Sequence, residues 1–531
     1  MEPATRPATK QDERHDAGSI DVLVVGAGPT GLMLANWLVK LGVRVALIDG
    51  KDGPTVESRA LGVHSRSMEI YDQLGVAERV LAESVHADSV RPGFGRRAFA
   101  PVPLGELGRG LSPYPGIHML EQSANERLLV DNLLALGGSV RWGHRLLSLD
   151  QDQADDGVLA HLDGPAGPSS LRARFVVGCD GASSLVRAQC GTAFEGTTSR
   201  QTFYLVDAVG VTGLPPASVN IRQEATEFLL AFPMRPDDAG RNGQRLIGTA
   251  GDDDTPSVTE DFARRRMTEA FGVTYEDYRW FSSYRIHHRI AAHFRIGSVF
   301  LAGDAAHVHS PVGAQGMNTG LQDAHNLAFK LADVVAGHAP ETLLNRYEAE
   351  RRPVAVRLLT TTDMVFRGLT SSSRVVMAVR RYVPRVVLPV AVALFPRLPV
   401  GRRLAGYLGQ VRIHYWMDGP AHGRRRGAVV GRRLPWTGDN FEVLRPAIWQ
   451  VHVYAADPAV LERSETAAGS LELPFHAFPT TGATRLRSGM LYLVRPDGFV
   501  AAAALPGDAA QVFRTTLEHQ APHLLREGRQ P

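Results

Sequence analysis

Apolar and polar positions repeat one theme through the first two thirds of the chain: a short apolar run, a loop of small residues, then helical spacing. Residues 20–25, IDVLVV, are an uninterrupted apolar run of the kind buried inside a parallel sheet. The run enters GAGPTG at 26–31, and 32–41 then has the spacing of a helix. VRVALI at 43–48 reads as a second strand, ending at Asp49. FVVG at 175–178 meets an acid–glycine turn at Asp180 and Gly181, then a helix start through Val186 and Arg187. VFLA at 299–302 runs into Gly303 and Asp304, and a loop follows that spends Pro311, Gly313 and Gly316 on its path. The next helix carries apolar residues at 317, 321, 324, 327, 328 and 331, which form one buried face. Further helices are predicted over 69–74 and after Gln122.

From 200 to about 290 the period shortens to two. Strands are predicted at 202–209, 227–233 and 245–247, with a helix over 258–271. Residues 366–413 read as helical and basic. Beyond a turn-rich entry at 428–435, strands are predicted at 448–454, 490–494 and 499–503, the last two joined by the RPDG turn at 495–498, and a helix over 509–519.

Composition narrows the class. The 531 residues, 44% hydrophobic, are enough for about two or three domains. With 58 basic and 55 acidic side chains, the net charge of +3 argues against nucleic acid as the main partner. The two cysteines, Cys179 and Cys190, make no disulfide framework or CxxC pair and read as reduced thiols of a cytoplasmic protein. Residues 1–19 lack the apolar core of a signal peptide and read as a disordered leader. The apolar stretch 386–395 is ten residues long, contains Pro389 and is flanked by arginines. It is too short to span a bilayer, and a buried helical connector is favoured over a surface anchor.

The first apolar unit is a dinucleotide-binding fingerprint in its proper setting of strand, glycine loop, helix, strand and acid. Gly26 allows the tight turn, Gly28 lets a pyrophosphate approach the backbone, and Gly31 permits close helix–strand packing. Asp49 lies where an acid accepts hydrogen bonds from a ribose. Arg59 is placed to reach a phosphate, or is a solvated surface arginine. Gln122 reads as a partner for ribose or ribityl hydroxyls, or as a helix-cap glutamine. Asp180 sits at the carboxyl end of a strand, where open α/β sheets bind ligands.

GAGPTG, the CDG turn with Arg187 behind it, and GDAAHVHSP at 303–311 occur here in the order found in single-component FAD-dependent aromatic hydroxylases. The chain resembles this family, built like p-hydroxybenzoate hydroxylase, over about 20–370. Its overall look is most similar to polyketide hydroxylases and rifampicin monooxygenase. The resemblance implies an α/β fold with three parts: a Rossmann-like FAD-binding domain, a β-sheet substrate lid domain and a C-terminal thioredoxin-like domain. The corresponding boundaries are 20–200 with 285–365 for FAD, 201–284 for the lid, 366–415 for a helical connector and 416–531 for the C-terminal domain. That last domain holds no cysteine, so thiol redox work is excluded and packing or dimerisation remains.

The resemblance also implies residue roles. Gly26, Gly28 and Gly31 would hold the FAD pyrophosphate and Asp49 the adenosine ribose, where the family usually has glutamate. Arg59 and Gln122 would contact the flavin nucleotide, Asp180 would serve FAD and NAD(P)H binding, and Asp304 would bond the ribityl chain. Pro311 would border the reactive face, and the backbone of Gly316, Met317 and Asn318 would face N1 and O2 of the flavin ring. Backbone N–H groups at a helix N-terminus stabilise the negative charge of reduced flavin there.

The implied reaction uses NADPH or NADH and O2 to hydroxylate a phenolic or polycyclic aromatic substrate through a flavin C4a-hydroperoxide. Candidate substrate contacts are Phe203, Tyr204, Phe228, Phe232 and Met234, with core packing as the plainer reading of each. Tyr204 and His287 are candidate catalytic groups for deprotonating a phenol. Antibiotic inactivation, Baeyer–Villiger insertion and non-catalytic flavin binding remain open. The absence of a second glycine fingerprint and of CxxC argues against disulfide reductases, and the absence of WxWxIP against flavin halogenases.

Overall fold

The computed structural model describes residues 20–56, 60–103, 108–151, 157–224, 227–250, 258–309, 314–370, 405–415, 429–480 and 485–525. The expected leader at 1–19, the apolar stretch 386–395, Arg59 and Pro311 lie outside these residues.

Ile20–Val25 is flanked by parallel partners on both sides, Val45–Ile48 and the carboxyl half of Gly167–Gly178, which is why its side chains can be apolar on both faces. Val140–Arg141 extends the sheet on one side and Val299–Leu301 on the other, both in parallel. The first half of Gly167–Gly178 instead continues antiparallel to Val158–Gly164, so one long strand joins the two regions. Because the central strands run the same way, Gly26, Asp49, Cys179 and Ala302 all leave the sheet at one edge. Helix Pro29–Lys40 packs against Gln122–Ala135 and Gly316–Val335, and Trp37, fully buried, lies 4.9 Å from His325 and 5.2 Å from Phe329. Truncating Trp37 to alanine would cost about 3–5 kcal/mol.

The second sheet has nine strands and is wider than the 201–284 segment. Phe194–Val209 lies between Asp277–Ala291 and Gly243–Ala250, followed by Glu227–Met234, Ser218–Glu224 and Ser89–Phe94. Ser89–Phe94 comes from the first hundred residues and pairs in parallel with Ser218–Glu224, a long-range pairing that leaves no local trace in sequence. The strands at Ser218–Glu224 and Asp277–Ala291 were not expected. The 258–271 helix is an α-helix, Glu260–Arg266, continued by a π turn, Met267–Phe271. The period of two sorts the faces. Tyr204, Val206, Leu229 and Leu246 pack beneath this helix, while Phe203, Leu205, Leu230, Ile247 and Ile286 form the other face.

The C-terminal sheet runs in the order Phe475–Phe478, Gln450–Tyr454, Leu491–Val494, Val500–Ala504. Its first pair is parallel and the rest antiparallel. Helices Pro458–Gly469 and Pro506–Gln520 supply Ala468, Phe513 and Leu517 to its core. This unit docks through buried charge. Arg495 donates to Glu350 at 2.7 Å and to Asp497 at 2.6 Å, and Lys330 donates to the same Glu350 at 3.0 Å. Burial pushes the Glu350 carboxyl up, but Arg495 and Lys330 outweigh it and hold the group well below the usual range. Arg66 and Gln73, on helix Ser65–Leu74, reach Asp497 O and Leu444 O at 2.7 and 2.8 Å.

Candidate active site

The strand ends open onto a trough made of two adjoining cavities of about 680 and 610 Å³, which share Gly28, Gln122, Cys179, Gly181 and Ser183 on their walls. Asp49, Lys51 and Arg145 line the first. Gly316, Met317 and the inner face of the nine-stranded sheet line the second.

The glycine loop is shaped by two different demands. Gly26 has φ +102°, and a β-carbon there would meet Cys179 O at 2.5 Å; at Gly31 it would run into Gly26 O. The protein's own packing requires these two. At Gly28, where helix Pro29–Lys40 begins, a β-carbon would meet nothing within 4 Å, because the position faces the trough. Asp49 braces the loop, its Oδ2 accepting from Ala27 N–H at 2.7 Å and its Oδ1 from Lys51 N–H at 2.9 Å.

Gln122 opens helix Gln122–Ala135 and fixes residue 60: its N–H donates to Ala60 O at 3.0 Å and its Oε1 accepts from Ala60 N–H at 3.2 Å. Its Nε2 donates to Glu126 at 2.9 Å, and Glu126 also accepts from Thr55 N–H at 2.8 Å. Glu126 is fully buried and lines the trough, and sequence reasoning passed over it. The signal was available: Gln122 and Glu126 stand four apart on the inward face of one helix. Asp180 accepts from Val186 N–H at 3.1 Å through Oδ2, while Oδ1 is buried with no hydrogen-bond partner among the described residues. Burial raises its pKa.

Asp304 stands in the Gly303–Ala305 turn, its side chain exposed on the trough wall. Behind it Gly303 N–H donates to Asp323 at 3.2 Å. Helix Gly316–Val335 starts at the trough. Thr319 N–H closes the first turn onto Gln315 O at 2.9 Å, so the N–H groups of Gly316, Met317 and Asn318 lie at its N-terminus. The Asn318 side chain turns inward, donating to Gly62 O and Ala314 O at 2.7 and 2.8 Å and accepting from His64 N–H and Ser67 Oγ at 2.8 and 2.7 Å. It clamps the loop rather than reaching the trough.

Across the cavity the sheet presents Leu205, Phe232, Ile247, Trp280, Tyr284 and Ile286. Two cations join them, Arg285 and Arg245, the latter paired with Asp207 by two bonds of 2.7 Å. His287 also lines the cavity, with Nδ1 2.9 Å from Thr198 Oγ1. Tyr204 does not. It lies on the far side of the sheet beneath Phe262, because adjacent residues of a strand face opposite ways, and this removes it from the catalytic candidates. Among the expected substrate contacts Phe232 lines the cavity. Phe203 and Phe228 are buried in the layer beside it, and Met234 packs with Leu61 and Met119.

A flat, elongated dinucleotide fits this trough. Gly28 leaves room at a helix N-terminus, the orphaned Asp180 Oδ1 waits for a donor, and a second helix N-terminus stands at the far end. The fold and the trough define a dinucleotide-binding protein. Residues 19–362 match the model of the FAD binding domain family, and the chain belongs to it. The chain is 32% identical to 6-methylpretetramide 4-monooxygenase of Streptomyces rimosus over 97% of this chain and 96% of that one. It is 39% identical to rifampicin monooxygenase of Streptomyces venezuelae over 69% and 75%. The structure of aklavinone-11 hydroxylase with FAD and aklavinone superposes with a TM-score of 0.75 at 25% identity, covering 96% of this chain and all of that one. The protein is an FAD-dependent monooxygenase, with NAD(P)H as the co-substrate general to the family. No helix among the described residues is long and apolar enough to cross a membrane.

Proposed function

We propose that the protein hydroxylates a flat phenolic or polycyclic aromatic compound of the polyketide type. The observation that carries this is the apolar sheet wall of Leu205, Phe232, Ile247, Trp280 and Ile286, which faces the Gly316 helix N-terminus across one cavity of about 610 Å³. Such a wall desolvates an aromatic ring system, and its few polar groups orient the ring.

Gly28 would admit the FAD pyrophosphate to the first helix N-terminus, on a loop whose turn and close packing Gly26 and Gly31 permit. Asp49 and Glu126 keep the nucleotide end in shape, and Gln122, Asp180 and Asp304 offer polar atoms along the trough. Arg59 and Pro311 are assigned by resemblance alone. The chemistry that bound FAD would supply is transfer of one oxygen atom from O2, with electrons from NAD(P)H. The N–H groups at the start of helix Gly316–Val335 stabilise negative charge on the ring system. His287, with Nδ1 held by Thr198, takes a substrate proton at Nε2. The sheet serves as the substrate lid. The C-terminal unit is thioredoxin-like, a reading supported by its strand order and its parallel first pair.

Incubation with NADPH under 18O2, across planar polycyclic phenols and single-ring phenols, tests the substrate class. The expected product carries one 18O atom and forms from the polycyclic members. Turnover confined to single-ring phenols, or oxygen insertion into a ring C–C bond, would overturn it.

A further inference from the structure

Outside the trough, one side-chain group carries chemistry that the monooxygenase reaction does not use. Asp333 lies near the end of helix Gly316–Val335. His338 follows in the next turn, where its N–H and that of Ala339 donate to Asp333 O at 2.8 and 3.1 Å and fold the chain back over the acid. His523 arrives from the C-terminal unit, in the Pro522–Leu525 turn beyond helix Pro506–Gln520. One ligand atom from each of the three side chains lies within 4.8 Å of the others. Among the described residues no other group of three such side chains meets this condition.

We propose that Asp333, His338 and His523 bind a divalent transition cation of the Zn2+ or Co2+ type, which clamps the C-terminal unit to the helix that begins at the trough. Two imidazoles and one carboxylate are donors for borderline cations, whereas Mg2+ and Ca2+ take oxygen sets. Three protein ligands leave a position for water.

The site must tighten to close. His338 Nδ1 is 4.0 Å from Asp333 Oδ1, and the two rings stack at 4.3 Å, 21° from parallel. A tetrahedral ion at about 2.1 Å from each donor brings the donors to about 3.4 Å from one another. One imidazole must also rotate, since a metal lies in the plane of each ring it binds. His338 has room for this, its side chain being 48% exposed. Lys330, one turn before Asp333, does not compete for the acid: its ammonium is committed to Glu350 at 3.0 Å and Asn326 Oδ1 at 2.8 Å. The two halves of the site come from different parts of the fold, so the bound ion stabilises their contact by an amount that grows with the logarithm of its concentration over Kd.

The test uses the full chain loaded with FAD and stripped by chelator. Zn2+ is titrated in competition with a chromogenic chelator, and Co2+ is followed by its d–d absorption. One tight equivalent is expected for the wild type. H338A, H523A and D333N should each bind on the order of tenfold or more weakly, with one metal bond in three removed, and FAD content should stay at the wild-type level. H338A and H523A act from opposite sides of the junction, so if one fails to fold the other gives the same reading. Absence of a stoichiometric equivalent in the wild type, or wild-type affinity in the variants, overturns the site.

Discussion

Arg351 Nε donates to Asp323 Oδ1 at 2.7 Å, and the two side chains are only 0% and 1% exposed. The other carboxylate oxygen accepts from His307 at 2.7 Å and from Gly303 N–H at 3.2 Å. Arg351 also donates to Thr319 O at 3.2 Å. The pair therefore ties the turn carrying Asp304 to the first turn of the helix at the trough. Arg351→Met would leave a carboxylate buried without its cation, and a loss of about 3–5 kcal/mol is expected in denaturant unfolding.

The same pair sets a pH dependence. Burial pushes the Asp323 pKa up, but the charges of Arg351 and His307 outweigh it, so the folded value lies below the ordinary 3.8. A depressed carboxylate contributes stability that is present above its unfolded pKa and lost as pH falls through the folded one. In Arg351→Met burial acts unopposed by the guanidinium, the folded pKa rises, and the variant loses stability as pH climbs from about 4. The stability gap between wild type and variant should widen from pH 4 to 7, as measured by urea midpoints. A constant gap would mean that Asp323 does not titrate differently in the two proteins.

The fingerprint glycines should separate by substitution. At Gly28 a β-carbon has open space around it, so Gly28→Val should fold with a melting temperature near that of wild type yet purify without FAD. Gly31→Val runs into Gly26 O and should fail to fold or melt well below wild type. Equal behaviour of the two variants would refute the division of roles.

Asp304→Ala removes an exposed carboxylate from the trough wall and should leave the fold intact. The flavin-to-protein absorbance ratio after purification is expected to fall severalfold. Full occupancy would remove Asp304 from the cofactor site.

The substrate wall is tested against a control on the far face. Trp280→Ala should keep its FAD and raise KM for a polycyclic substrate about tenfold or more, with loss of an apolar contact worth roughly 1.5–3 kcal/mol. Tyr204→Phe, beneath Phe262, should leave kcat and KM unchanged. A large fall in kcat for Tyr204→Phe would put the phenol back into the chemistry.

What the sequence disclosed was local. Ile20–Val25, the glycine loop and the turn at Asp304 are contiguous, and their periodicity and small residues follow from neighbours along the chain. Asp277–Ala291 escaped because its exposure alternates poorly and it carries charges throughout, so it lacks a buried strand's pattern. Ser89–Phe94 escaped because its partner lies far along the chain. The face chosen by Tyr204 depends on strand register, and a shift of one residue reverses it. Asp323 and Arg351 are buried charges whose partners are visible only in three dimensions, and no spacing announces them.

The most direct test is anaerobic mixing of the FAD-loaded protein with NADPH in a stopped-flow spectrophotometer, with and without polycyclic phenols. Bleaching of the flavin band near ~450 nm, a general property of flavins, is expected, and it should be faster when a compound occupies the wall opposite Gly316. A protein that holds FAD but is reduced by no nucleotide, with or without any compound in the panel, would contradict a single-chain monooxygenase.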